Sequence, residues 1–296
     1  MFSPTGKRKI FFTISAVLVI ASILLMIFKG FNMGIDFTGG NLYQFEMGKT
    51  VTSAIEDELE AIISETAGVS DISVQATGDT QVIIKTPELS NETSDAVIEA
   101  ILAKYELSQD NVLNNEKVNG TVSARLIGEA LKAVIIAVIL MLIYITIRFD
   151  FQSGTSSVLA LAHDVILMLG FMSLFGVSIN SPFIAAVLTI LGYSINATII
   201  IFDRIRENNK LMTKATPNEI ADDAIRHSYT RAINSSLTTL FTIGALYVLG
   251  VTSIREFALP IIVGIVVGTY SSLFVSGSFW AWWKSLGAKK PAAAKK

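Results

Sequence analysis

The sequence predicts a membrane protein of six transmembrane α-helices, with an α+β ferredoxin-like extracytoplasmic domain between helices 1 and 2. Three observations predict it. Of 296 residues, 51% are hydrophobic and only 16% charged, against about 25% charged in soluble domains, and the mean hydropathy is +0.56. The apolar residues gather into one long stretch near the start and five more after a polar interval. Lysine and arginine cluster at three places consistent with one side of a membrane.

The first span is Ile10 to Phe28, nineteen residues without a charge, close to the 20 or so that cross a hydrocarbon core of about 30 Å. Lys7, Arg8 and Lys9 precede it as in a signal peptide, but its length and the lack of a small-residue cleavage site favour an uncleaved anchor. The next interval, about 32 to 125, alternates strand-like and helix-like segments. Leu42 to Met47 reads as a strand and Thr52 to Ala67 as a helix burying Ile55, Leu59, Ile62 and Ile63. Asp71 to Thr77 and Gln81 to Thr86 read as strands joined at Gly78-Asp79, Ser94 to Tyr105 as a second helix, and Val112 to Val122 as a fourth strand. The order βαββαβ is that of a ferredoxin-like sandwich.

Five further spans follow at about 131–147, 156–175, 182–202, 235–251 and 257–280. Basic residues cluster before span one, between spans four and five (Arg204, Arg206, Lys210, Lys214, Arg226, Arg231) and after span six (Lys284, Lys289, Lys290, Lys295, Lys296). The positive-inside rule makes these segments and both termini cytoplasmic. The expected organisation is 1–31 (cytoplasmic N-terminus and first helix), 32–125 (extracytoplasmic domain), 126–283 (five helices) and 284–296 (basic cytoplasmic tail). Trp280, Trp282 and Trp283 are expected to anchor the last span among lipid headgroups.

Several chemistries are excluded or disfavoured. No cysteine is present and only His163 and His227 represent histidine, so thiolate or multi-histidine metal centres are not expected. No phosphate-loop or dinucleotide-binding glycine pattern occurs, and no Ser/His/Asp set suggests hydrolysis. A net charge of -2 gives no reason to expect nucleic acid. The chain is read as no enzyme, without cofactor or metal, drawing any work from an ion gradient.

Ionisable residues within a span cost about 2.5–3.5 kcal/mol each on insertion scales, so each invites a functional hypothesis. His163 and Asp164 fall about 11 Å deep in the third span and Asn196 about 9 Å deep in the fourth, counting 1.5 Å per residue. That common depth would allow a relay, with interhelical hydrogen bonding as the alternative role. Adjacent helix positions diverge by about 100°, so His163 and Asp164 are expected to address two different helices. Arg231, before the fifth span, either meets headgroups or turns toward a carboxylate such as Asp164. Asp203, Arg204, Arg206 and Glu207 read as a charged helix end with local salt bridges. Gly264 and Gly268 permit close helix contact. Gly34, Asp36, Gly39 and Gly40 either couple the outer domain to the first helix or simply turn the chain into its first strand.

Three stretches carry a family resemblance: GIDFTGG (34–40), LAHDVILMLG (161–170) and LGYSINATIIIFDRIREN (191–208). They resemble the SecD/SecF family of protein-export membrane subunits, on its SecF side, within the resistance-nodulation-division superfamily. The resemblance implies a multi-pass protein of the bacterial cell membrane, partnered by SecD and associated with the SecYEG channel. It would use the proton or sodium gradient to draw unfolded secretory polypeptides outward after SecA has pushed them from the cytoplasm. By the same resemblance His163 and Asp164 match a third-span pair, and Arg231 matches an arginine implicated in proton movement. Many relatives have an aspartate after the fourth-span asparagine, where this chain has Ala197. Either SecD supplies the titrating acid, with Asn196 beside it, or Asp164 takes a larger share. Competing functions are a small-solute or metal exporter subunit of the same superfamily and a passive scaffold of a translocation complex.

Overall fold

The computed structural model describes residues 3–287, so the expected basic tail beyond 287 lies outside the described residues. The chain divides into two compact units, one of residues 33–131 and one comprising 1–32 with 132–296.

The 33–131 unit begins with a single-turn helix α1′, Ile35–Thr38, followed by β1 (Gly40–Glu46), a helix Ser53–Ala67, β2 (Ser73–Thr77), β3 (Gln81–Thr86), a helix Asn91–Tyr105 and β4 (Val112–Val118). Its sheet order is β2-β3-β1-β4, antiparallel throughout. Alternation in β1 sends Tyr43 and Phe45 to one face, where they sit opposite Ile84 and Val82 of β3. The two longer helices cover that face with Leu59, Ile63, Val97 and Ile101, all fully buried; each such side chain contributes about 1.5–3 kcal/mol. The buried Tyr43 hydroxyl donates to Ser94 Oγ at 2.8 Å, which avoids an unsatisfied polar group in the core. Strand four is shorter than expected. Gly120 already begins the next helix, because Asn119 caps it by accepting from the Thr121 amide and hydroxyl.

Across the two helices of this unit, Glu58 accepts from Lys104 at 2.8 Å and from the Tyr105 hydroxyl at 2.8 Å. The Lys104 hydrogen bond, then that of Tyr105, holds the Glu58 carboxyl below its usual 4.5, while burial and Glu58 push the Tyr105 phenol up. A depressed carboxyl stabilises the fold above its unfolded value, and that contribution disappears as pH falls through the depressed value. Acidification below 4.5 should therefore weaken the helix pair, seen as faster amide exchange along Asn91–Tyr105, and Lys104→Met should shrink the effect. Equal pH dependence in that variant would contradict this assignment.

The other unit contains the apolar helices, of which the second begins within residues 33–131. Among the described residues six helices are long and apolar enough to cross a membrane. In chain order they are hA (Arg8–Phe28), hB (Gly120–Arg148), hC (Phe151–Phe175), hD (Ser181–Leu211), hE (Pro217–Leu249) and hF, which runs as Thr252–Tyr270, a π-helical segment Ser271–Ser276 and Gly277–Gly287. Asp150, Asn180 and Thr216 cap hC, hD and hE with their side chains, Thr216 in a capping box with Glu219 and with Pro217 following. That cap, and the stripe Ile220, Ala221, Ala224, Ile225, Ser228 and Ala232 facing inward, extend hE well ahead of the span expected from 235. His227 consequently lies on a helix, with Nδ1 3.2 Å from Asp223 Oδ2.

On hA the buried residues are Ser15 and Ser22, seven apart and hence on one face. Ser22 meets Gly170 of hC, where a Cβ would lie 2.3 Å from the serine Cβ. Ahead of hA, Thr5 donates from its amide and hydroxyl to buried Asp222 of hE at 2.9 and 2.8 Å. Trp280 departs from the expected headgroup belt. It is buried, whereas Trp282, two positions on and therefore on another side of the helix, is 37% exposed.

Candidate functional site: a buried aspartate between three helices

Asp164 is fully buried. Its Oδ2 accepts from Ser194 Oγ of hD at 2.5 Å and from Ser271 Oγ of hF at 2.8 Å. Its Oδ1 lies 2.9 Å from Nδ1 of the adjacent His163. The carboxyl thus takes one hydroxyl donor from hD and one from hF.

Local sequence explains the convergence. Ser271 is the first residue of the π segment, and a π-turn, frequent at functional sites, shifts the helical register so that a side chain can be aimed differently from its α-helical position. Gly268, one turn earlier, leaves the space that Asp164 and Ser194 fill, since a Cβ there would stand 3.4 Å from Asp164 Oδ2 and 3.2 Å from Ser194 Cβ. Gly264 likewise sits against Ile190 of hD, so this glycine pair makes the close contact its spacing suggests. Below the aspartate, Thr198 and Ser272 share a 2.9 Å hydrogen bond.

The His163 ring stacks on Tyr270 with centroids 6.2 Å apart. The Tyr270 hydroxyl donates to Phe11 O at 3.1 Å and lies 3.2 Å from Ser15 Oγ, both on hA. His163 Nε2 is buried without a hydrogen-bond partner among the described residues.

Two expectations are corrected by this geometry, and of the two alternatives for Arg231 one is removed. His163 and Asp164 do bond one another, because both side chains are long enough to close the angle between adjacent positions. Asn196 shares their depth but not their direction: two residues after Ser194 it points about 200° away and is exposed. Arg231 is also exposed and does not turn toward Asp164, whose ion-pair partner among the described residues is His163. Ser194 is legible in the sequence as one of the polar residues of the fourth span, beside Tyr193, Asn196 and Thr198, whereas Ser271, Tyr270 and Ser15 do not stand out, since single hydroxyl residues are ordinary in membrane helices. For these three, the pair spacing of Ser15 and Ser22 was the one available signal.

The remaining predicted residues lie elsewhere. At the hD end, Arg148 binds Asp203 and Arg204 binds Glu207, each at 2.6 Å, while Arg206 is exposed. In the 33–131 unit, Gly34 N-caps the Ile35–Thr38 turn containing Asp36, and Gly39 and Gly40 follow with φ of 75° and 115°. Gly40 also runs so close to β3 that a Cβ would lie 2.1 Å from Thr86 O. Among the described residues no group of three or more His, Cys, Asp or Glu side chains forms a metal cluster.

The exposed faces of hD and hE differ from the other outer surfaces of their unit. Those of hA and hB carry isoleucine, leucine and valine, and hE keeps Leu237, Phe241, Val248 and Leu249 exposed; hD instead exposes Ala185, Thr189, Gly192 and Asn196, and hE interleaves Arg231, Asn234, Ser235, Thr238 and Thr242 with its apolar positions. Such small or polar side chains gain little from lipid tails and are suited to another helix.

Comparison with known proteins follows the same lines. Residues 97–286 match the family model described as protein export membrane protein SecD/SecF, C-terminal, and residues 24–51 match the SecD/SecF GG motif. The protein translocase subunit SecF of Sebaldella termitidis is 39% identical over 271 residues, covering 91% of this chain and 87% of that protein. The protein translocase subunit SecDF of Thermus thermophilus is 38% identical over 262 residues, 87% of this chain and 35% of that longer protein. The crystal structure of SecDF from Thermus thermophilus, described as a translocon-associated membrane protein, superimposes with a TM-score of 0.87 at 36% identity, covering 96% of this chain and 39% of that one.

Proposed function

The chain belongs to the SecD/SecF protein-export family, and from that premise we propose that it is an accessory subunit of the Sec translocase that couples an ion gradient to polypeptide export through Asp164. The observation that carries the coupling role is a fully buried carboxylate held by donors from hD and hF and by its own neighbour His163. Protonation removes the acceptor charge that those donors share, which loosens hC from hD and hF and favours a second packing of the bundle. With Ala197 in place of the aspartate frequent in relatives, Asp164 takes the larger share of the titration within this chain.

SecD is the partner that completes the bundle. The fusion of the two in a Thermus thermophilus relative, the small, polar face of hD around Asn196 and the exposed polar residues of hE around Arg231 support this reading. SecYEG is the channel served, SecA the motor on its cytoplasmic side, and the client an unfolded secretory polypeptide. Basic clusters support a bacterial cell-membrane topology with both termini cytoplasmic. The 33–131 unit then lies outside, and its sheet order β2-β3-β1-β4 with two covering helices supports a ferredoxin-like assignment. Gly34, Asp36, Gly39 and Gly40 follow hA directly in the chain and would pass helix movement to that domain.

The test is a pulse-chase of signal-peptide cleavage for a secreted protein in cells depleted of this chain or carrying Asp164→Asn at matched membrane levels. Precursor should accumulate in both. Normal maturation on depletion would remove the export role, and a fully active Asn variant would remove Asp164 as the coupling acid.

A further inference from the structure

Asp164 has no exposed surface, so any proton it exchanges must pass through one of the groups that touch it. Two of these are serines with little beyond them. Ser194 Oγ has Asp164 as its acceptor, and among the described residues Ser271 Oγ reaches Asp164 and the main-chain oxygen of Gly268, the latter at 3.2 Å. The third is an imidazole with a second nitrogen. His163 Nε2 is the buried atom without a hydrogen-bond partner, and His163 keeps 8% of its surface exposed where Asp164 keeps 0%. Stacked on the ring is Tyr270, whose hydroxyl joins Ser15 Oγ and Phe11 O on the buried, polar face of hA.

We infer that His163 is the port through which Asp164 gains and loses its proton, with Tyr270 and Ser15 as the polar groups on its outer side. The inference rests on the coupling role proposed for Asp164. The step is balanced within two residues. In the resting state His163 is neutral with its proton on Nδ1, donating to Asp164 Oδ1. A proton arriving at Nε2 makes an imidazolium; the Nδ1 proton then passes to Oδ1, leaving a neutral acid beside a neutral imidazole protonated on Nε2. Discharge on the other side of the membrane reverses the two transfers. The titratable groups facing this pair are Tyr270 alone on hF, none on hA, where Ser15 and a main-chain oxygen approach, and none on hD, which offers Ser194; among the described residues no lysine, arginine or second carboxylate pairs with either. Imidazole is suited to this work because it accepts at one nitrogen while releasing at the other.

The first test measures proton flux into proteoliposomes that hold this chain with SecD, under an imposed pH gradient. His163→Asn keeps a donor for Oδ1 but has no second nitrogen, and should cut flux by at least about tenfold and flatten its pH profile. Tyr270→Phe, which keeps the ring stack, should give a smaller loss of about threefold. Wild-type flux and pH profile in His163→Asn, with flux lost in Asp164→Asn, would overturn the port while leaving the coupling role intact; wild-type flux in Asp164→Asn would overturn the coupling role itself. A second test serves if His163→Asn fails to fold. With two histidines in the sequence, His227→Asn leaves a single imidazole for 15N spectroscopy of the purified full chain. The alkaline spectrum should show the Nδ1-protonated tautomer, with Nε2 gaining its proton on acidification, and the Nδ1 preference should vanish in Asp164→Asn. An Nε2-protonated ring at alkaline pH would overturn the port.

Discussion

Replacing Gly40 by alanine should open the 33–131 unit. Gly40 has φ 115°, a region essentially reserved for glycine and costing other residues about 1–3 kcal/mol. Space is denied as well as conformation, since the new Cβ would lie 2.1 Å from Thr86 O. That oxygen cannot retreat, because Thr86 pairs with Asn41 at the end of the β1–β3 ladder, and on the other side Gly40 pairs with Val118 of β4. Strain and clash together should cost about 3 kcal/mol or more. Amide exchange at Tyr43 and Phe45, the centre of the sheet, should accelerate by about a hundredfold if it proceeds through opening of this unit. Unchanged exchange in Gly40→Ala would show that the strand can slide away, and would return this glycine to a role in coupling alone. Gly39→Ala is the milder comparison: it shares the backbone strain, with φ 75° and ψ 170°, but its Cβ would approach Gly120 Cα only to 3.2 Å, a contact that a small shift at a helix start can relieve.

How much of this was legible depended on which physical signal each residue leaves. Uncharged length leaves a strong one, so the spans from Ile10 to Phe28 and onward were readable from hydropathy. Alternation is also strong, and β1 and β3 appear where Tyr43, Phe45, Val82 and Ile84 place them. Helix ends were less legible. The amphipathic starts of hB and hE are too charged to register as spans, yet each is helical, hB on the cap from Asn119 and hE on the cap from Thr216 with its inward stripe, and the turn at Ile35–Thr38 is too short for any periodicity.

Depth along a helix and direction around it carry different information, and the site needed both. Asp164 stands out in the sequence because a buried charge is costly. Its partners do not, because a serine in a membrane helix costs little and needs no partner. Asn196 looked the better candidate on polarity alone, but Ser194 has the right azimuth. The π segment that presents Ser271 leaves no compositional trace at all, and the partnership of Tyr270 with Ser15 joins residues 255 positions apart.

The wall formed by hA can be tested at Gly170. An alanine Cβ there would stand 2.3 Å from Cβ and Oγ of Ser22 and 2.8 Å from its Cα. A side chain could rotate its hydroxyl away, but a backbone carbon cannot yield without moving hA as a whole. Gly170→Ala should therefore push hA off hC, at the 1–3 kcal/mol or so typical of overpacking. One turn further along, Ser173 Oγ approaches Leu25 O at 3.1 Å and Gly30 O at 2.7 Å, and these hydrogen bonds would be lost with the displacement. Thermal unfolding of the purified protein in detergent should shift several degrees downward. Ser22→Gly in the same chain removes the two closest atoms and leaves Cα at 2.8 Å, so it should recover part of the loss and not all of it. A Gly170→Ala variant that melts like the wild type, or a double variant no better than the single, would mean that hA is free to re-register along hC. Because Ser15 lies two turns below Ser22 on the same buried face, displacement of hA should also withdraw Ser15 from Tyr270, and Gly170→Ala should then lower proton flux in the direction expected of Tyr270→Phe while Ser22→Gly restores it in part.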